Sequence, residues 1–98
     1  MVGPPASDTR YRLKLFVVGG TARTEFVIAN FKRFCEAEFP GRYELIIVDV
    51  IKQPEIAETE KILATPTLIK ESPLPVRRVI GDLSDHAKVL AAMGLRAH

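Results

Sequence analysis

Tryptophan is absent, cysteine occurs once and histidine twice, and aromatic residues make up only 7% of the 98-residue chain. Each shortage removes a class of chemistry. The single thiol, Cys35, cannot close an internal disulfide, which suits a reducing cytoplasm and leaves stability to an apolar core. His86 and His98 lie far from Cys35 in sequence, so no metal-ligand spacing is present. No apolar run reaches the roughly 20 residues of a bilayer-spanning helix, and the N-terminus lacks the apolar segment of a signal peptide. Charge of one sign is scarce too: 14 Lys and Arg against 12 Asp and Glu leave +2. That argues against a nucleic-acid-coating surface and against a strongly acidic partner. The remaining composition, 47% hydrophobic and 27% charged, is that of one soluble globular domain of the cytoplasm.

Residues 1–10, with Gly3, Pro4, Pro5, Ser7 and Asp8, read as a disordered arm. From Tyr11, the residues Leu13, Leu15 and Val17 alternate with Arg12, Lys14 and Phe16. This predicts a strand with one well-buried face and a second face that turns apolar toward its end. Gly19-Gly20 breaks the strand, and Thr21 can cap a helix over 22–39 whose apolar face carries Val27, Ile28, Phe31, Phe34 and Cys35. Pro40-Gly41 ends that helix, and Leu45-Ile46-Ile47-Val48 reads as a strand covered on both faces, as inside a parallel sheet.

Gln53-Pro54 opens a second helix, proline standing at its favoured first position. In it Ile56 and Leu63 are expected to face inward, while Glu55, Glu58 and Glu60 form a solvated face. The helix is predicted to run to about Ala64, where the coming Pro66 pushes the chain out of helical space. Thr67-Leu68-Ile69 then reads as a buried strand. Pro66 fits the place where thioredoxin-like folds keep a cis-proline; its spacing fits a trans proline that stops the helix equally well. A turn with Pro73 and Pro75 leads to a fourth, antiparallel strand over 76–80. Ser84 offers a cap for a last helix over 85–93, with Gly94 as its stop. The order βαβαββα predicts an α/β, thioredoxin-like domain over 11–95 with a mixed four-stranded sheet, followed by a short tail at 96–98.

No catalytic constellation emerges. A redox thiol would belong at the start of the first helix, where its pKa falls; that turn reads Gly19-Gly20-Thr21-Ala22-Arg23-Thr24. Cys35 sits near the other end of the helix, as a core thiol does. His86 beside Asp85 and Ser84 reads as the first turn of a capped helix rather than a nucleophile and base. Gly19-Gly20-Thr21 lacks the Walker lysine and the dinucleotide glycine spacing. Arg77-Arg78 has no aromatic partner for stacking bases.

The chain resembles the KaiB family of small clock proteins. The likeness rests on Leu13-Lys14-Leu15-Phe16-Val17 with Gly19 and Thr21, on Glu38-Phe39 with Gly41 and Tyr43, and on Val48-Asp49-Val50 with Pro54. Lys61 to Leu68 and Pro75 to Asp85 extend it, so that it covers 11–95. The resemblance implies an adaptor without enzymatic activity or cofactor, which binds a KaiC-type RecA-like ATPase hexamer and alters its phosphorylation or output. A KaiA-like protein or a histidine kinase would be a further partner, with neither nucleic acid nor membrane involved. It also implies two folds: a ground-state dimer or tetramer with a C-terminal strand, and a thioredoxin-like monomer competent to bind.

Partner-binding positions carry over at Lys61, Lys52 and Arg78. Glu44 and Ile46 depart from the small residue and lysine usual in the family, as Gly20 and Ala22 depart from asparagine and proline. Ala92 and Gly94 stand where glycine and aspartate are common. Alanine exceeds glycine in helix propensity by about 1 kcal/mol, so Ala92 favours helix over strand there, and the thioredoxin-like state is expected to dominate. Two other readings remain open: a sensory domain like that of a clock-output histidine kinase, and a thiol-dependent enzyme using Cys35.

Overall fold

Alternating side chains in the first strand create two buried surfaces, one on each side of a four-stranded sheet. The computed structural model describes residues 9–95; the expected arm, through residue 8, and the tail at 96–98 lie outside the described residues. The elements are β1 (Tyr11–Val17), α1 (Ala22–Glu38), β2 (Tyr43–Asp49), α2 (Pro54–Thr59), β3 (Thr67–Ser72), β4 (Arg77–Ile80) and α3 (His86–Ala92). Strand order is β2-β1-β3-β4, with β1 and β2 parallel and β3 antiparallel to both β1 and β4. This is the thioredoxin-like arrangement expected from βαβαββα, and it places α3 where the alternative fold would have a strand.

Leu13, Leu15 and Val17 of β1 pack with Phe31, Phe34 and Cys35 of α1 and with Val89, Leu90 and Met93 at α3. The second face is thinner. Phe16, Val48 and Ile69 form a small cluster, closed by half-buried Ile46, Val50, Ile56 and Ile62. Full burial of a side chain the size of Phe16 contributes about 2–3 kcal/mol. Thr21 caps α1 as expected, its Oγ1 accepting the Thr24 N–H at 3.0 Å. At α3 the cap is Asp85, which accepts the Lys88 N–H at 3.1 Å. Ser84 is instead held one step earlier, its N–H donating to Asp82 Oδ1 at 2.8 Å.

The second helix departs most from expectation. It stops at Thr59 after six residues, because Lys61 adopts φ +57 and the chain closes there. The Lys61 N–H bonds the Glu58 carbonyl at 3.1 Å and the Ile62 N–H bonds the Ala57 carbonyl at 2.9 Å, the paired bonds of a left-handed helix stop. The closure turns Ile62 inward and Leu63 outward. Leu63 is 95% exposed, which corrects the inward position expected from its spacing to Ile56. Glu60 is also not a merely solvated charge, since it lies within reach of Lys14 and Arg78.

Lys70, a strand residue without an assigned role in the sequence reading, is 2% exposed. Its ammonium donates to the carbonyls of Pro73 and Pro75, so the β3–β4 turn is tied to the sheet by a buried cation whose hydrogen bonds offset its desolvation. Burial, and then the neighbouring charge of Arg77, lower its pKa.

Candidate partner-binding face

A helix of six residues spans about 9 Å, so α2 covers only part of the sheet face beneath it. What it leaves open is filled by charges from alternate positions on the strands. Register places Glu44 beside Arg12, and Lys14 between Ile46 and Ile69. Arg12 contacts Glu44 at 2.7 Å and Glu71 at 2.9 Å. Lys14 contacts Glu71 at 2.9 Å and approaches Glu60 at 3.9 Å, and Arg78 stands 4.0 Å from the Glu60 carboxylate. Signs alternate along the whole row. Hydrogen bonding from Lys14, then from Arg12, lowers the pKa of Glu71, while Glu71 and Glu44 raise that of Arg12.

The row changes how the expected contact residues are read. Glu44 does project from the face, but its carboxylate already serves Arg12. Ile46 is half-buried against the Phe16 cluster. Arg78 turns inward along the surface, donating to the carbonyl of Glu60 and to that of Lys61 at 3.5 Å. It therefore braces the turn that carries Lys61. Lys52 and Lys61 are exposed and, among the described residues, form no ion pair. Exposed Ile51, Leu63 and Ile80, at 70%, 95% and 62%, belong to the same end of the molecule, Ile51 and Leu63 following β2 and α2 and Ile80 closing β4.

Lys52 is positioned from below by Asp49, whose carboxylate accepts the Ile51 N–H at 2.9 Å. That bond, with others from Gly19 and Lys52, holds its pKa below the usual carboxylate range. A Cβ at Gly19 would collide with the Asp49 carboxylate, so a larger residue there would have to displace this side chain.

The other positions singled out from sequence lie elsewhere. Pro66 follows a cis bond from Thr65, which settles the choice left open by spacing. Ala92 closes α3, and Gly94 (φ +81) follows it, with N–H bonds from Gly94 to Ala91 and from Leu95 to Leu90. Cys35 is fully buried, and burial, with Glu36 adding to it, pushes its thiol up to about 12. At neutral pH it stays protonated and out of reach, unlike a nucleophilic thiol. The His86 ring packs against Phe34, centroids 4.8 Å apart, rather than facing a nucleophile. From sequence, Arg12, Lys14 and Glu71 have no site role and Glu60 is only a solvated charge. The alternation of Arg12 and Lys14 with apolar residues did mark them as sharing a face, but their partners come from three other elements.

Comparison with known proteins fits this geometry. A family model described as the KaiB domain matches residues 14–95. The circadian clock oscillator protein KaiB of Synechococcus elongatus is 53% identical over 85 residues, covering 87% of this chain and 83% of that protein. Its counterpart from Prochlorococcus marinus is 51% identical over 90 residues, covering 92% and 83%. Among solved structures, the N-terminal domain of Synechococcus elongatus SasA superposes with a TM-score of 0.65 at 27% identity, covering 88% of this chain and 83% of that one. Mitochondrial thioredoxin 3 of Saccharomyces cerevisiae gives 0.67 at 13% identity, covering 90% and 80%, a likeness of fold alone. With the thioredoxin-like fold, the buried thiol and a clock-protein relationship spanning nearly all the described residues, the chain belongs to the KaiB family.

Proposed function

We propose that this protein is a non-enzymatic clock or clock-like adaptor of the cytoplasm, which docks on a KaiC-type ATPase hexamer and alters its phosphorylation or output. Lys61 carries the reading. It is a lysine held at positive φ, exposed and unpaired among the described residues, beside a leucine that is 95% exposed. An unfavourable backbone conformation kept at such a place is more readily understood as presentation of a contact than as packing. Lys52 supplies a second exposed cation, Arg78 braces the Lys61 turn, and Glu44 and Ile46 set the character of the β2 side. The helical state of 86–92, with Ala92 in the helix and Gly94 in its stop, supports a resting population mainly in the thioredoxin-like arrangement, with the oligomeric ground-state fold as its alternative.

The test is size-exclusion chromatography with light scattering, alone and with a KaiC-type hexamer and ATP. Co-elution of the wild type and loss of it in Lys61→Glu are the expected results. A wild-type chain that fails to co-elute, or a Lys61→Glu variant that binds equally well, would reject the reading. The likeness to the SasA domain favours a second reading, a sensory or input domain acting with a histidine kinase, in which the same face would serve another partner.

A further inference from the structure

The row of alternating charges on the α2 side does more than neutralise itself. Glu71 is its centre because β3 carries one extra residue there. Arg12 pairs with Ser72 and Leu13 with Lys70, which leaves Glu71 without an opposite residue in β1. A bulge of this kind re-aims a side chain, and here the carboxylate reaches two cations, one with each oxygen. Oε1 accepts from Arg12 Nε at 2.9 Å, and Oε2 lies 2.9 Å from Lys14 Nζ. Another arm of the Arg12 guanidinium, Nη1, donates to Glu44 at 2.7 Å. Each inner member thus divides itself between two neighbours of opposite sign.

The links are unequal. Contacts from Glu44 to Lys14 measure 2.7, 2.9 and 2.9 Å, whereas Glu60 stands 3.9 Å from Lys14 and 4.0 Å from Arg78. Glu60 is therefore shared by two cations, and its carboxylate is held closely by neither. Arg78 donates to the backbone carbonyls of Glu60 and Lys61, so the row ends on the left-handed turn. The Lys14 and Glu71 side chains are only 20% and 25% exposed, and solvent ions screen such pairs less than the more open one at Glu44.

A guanidinium is a fork that prefers to grip a carboxylate with two arms. Arg12 does not do so with Glu71, because one arm is on Glu44. We propose that the row couples the Glu44 side of the sheet to the Lys61 turn, so that a cationic group of a partner that captures Glu44 loosens this turn. Released from Glu44, Arg12 takes both oxygens of Glu71. Lys14 then moves to Glu60, and the Glu60 carboxylate leaves Arg78, which weakens the brace. Linkage makes the effect reciprocal: docking that holds the Lys61 turn keeps Glu44 on Arg12. Only this consequence for docking rests on the role proposed for Lys61; the coupling itself is a property of the free chain.

Glu44→Ala withdraws the carboxylate without any partner. Amide exchange at neutral pH is read by NMR on the ¹⁵N-labelled full chain and corrected for intrinsic rates. Exchange at Lys61 and Ile62 is expected to be about 2- to 3-fold faster in the variant, as suits partly screened ion pairs, with Leu95 unchanged. Lys14→Met cuts the row between its ends, and adding Glu44→Ala to it should bring no further change at Ile62. Glu71→Gln cuts the row at a second point and gives the same comparison if Lys14→Met does not fold. The proposal is overturned by equal exchange in the wild type and Glu44→Ala, or by an acceleration that persists in a cut row. Equal acceleration at Leu95 would overturn it too, as a global loosening. None of these results bears on ATPase docking, whose own test is Lys61→Glu.

Discussion

The two short helices α2 and α3 end in the same way and are put to different uses. Each closes with paired N–H bonds around a left-handed residue, Lys61 after α2 and Gly94 after α3. At α3, glycine takes the conformation without a steric penalty, Met93 before it is fully buried, and Leu95 after it packs on the main core. At α2 a lysine takes the conformation, no residue of the helix is fully buried, and the following Leu63 stands in solvent. A left-handed lysine costs about 1–2 kcal/mol relative to its usual conformation. The molecule therefore optimises one helix stop for stability and keeps the other strained and exposed. Such an asymmetry is what the docking proposed for the α2 end would require.

The largest effect that could break this comparison lies in the cores beneath the two helices. Met93→Ala should cost about 2–5 kcal/mol, as a fully buried residue does, whereas Ile56→Ala in the half-buried α2 should cost about 1 kcal/mol. Urea denaturation of the two variants checks this, and equal losses would remove the distinction between the helices. Next come the turns themselves. Gly94→Ala should destabilise by about 1 kcal/mol. Lys61→Gly should gain roughly 0.5–1 kcal/mol while weakening partner binding. Loss of stability in Lys61→Gly would mean that the lysine side chain, rather than its conformation, governs the turn.

The smallest effect concerns acid. Hydrogen bonds from Lys14 and Arg12 depress the pKa of Glu71 in the folded protein. Its contribution is then fully present above the unfolded value, about 4.3, and is lost as pH falls through the lower folded one. Because the row from Glu71 through Lys14 and Glu60 reaches the α2 end, acid should loosen α2 before α3. Hydrogen exchange, corrected for intrinsic rates, would show reduced protection at Ile62 with Leu95 unaffected. Equal loosening at both amides would assign the effect to global unfolding.

Periodicity carried most of the fold. Period two in Leu13, Leu15 and Val17 and helical spacing from Val27 to Cys35 are local signals: the three strand residues and Phe31, Phe34 and Cys35 are buried, while Val27 and Ile28 are only half-buried. Leu63 misled because spacing to Ile56 assumes a continuous helix. Nothing local announced that Lys61 would turn left-handed, since lysine has no preference for that conformation. The candidate site is legible in the sequence as single residues, Lys61, Lys52 and Arg78, and not as an arrangement of exposed cations and a brace.

By itself, then, the sequence determined the element order, the alternation that makes a two-sided sheet, and the absence of a thiol where redox chemistry would need one. It also carried the family, because Lys61 to Leu68 and Pro75 to Asp85 are contiguous and specific runs. Only the tertiary structure decided which charges cancel, through strand register that sets Arg12 and Lys14 against glutamates distant in sequence. It also decided where α2 stops, the cis state of Pro66, and the burial of Lys70 beneath its proline turn. The physical reason is common to all of these. Hydrophobic period is written in neighbouring residues, whereas ion pairing and backbone satisfaction depend on groups that meet only after the chain has folded.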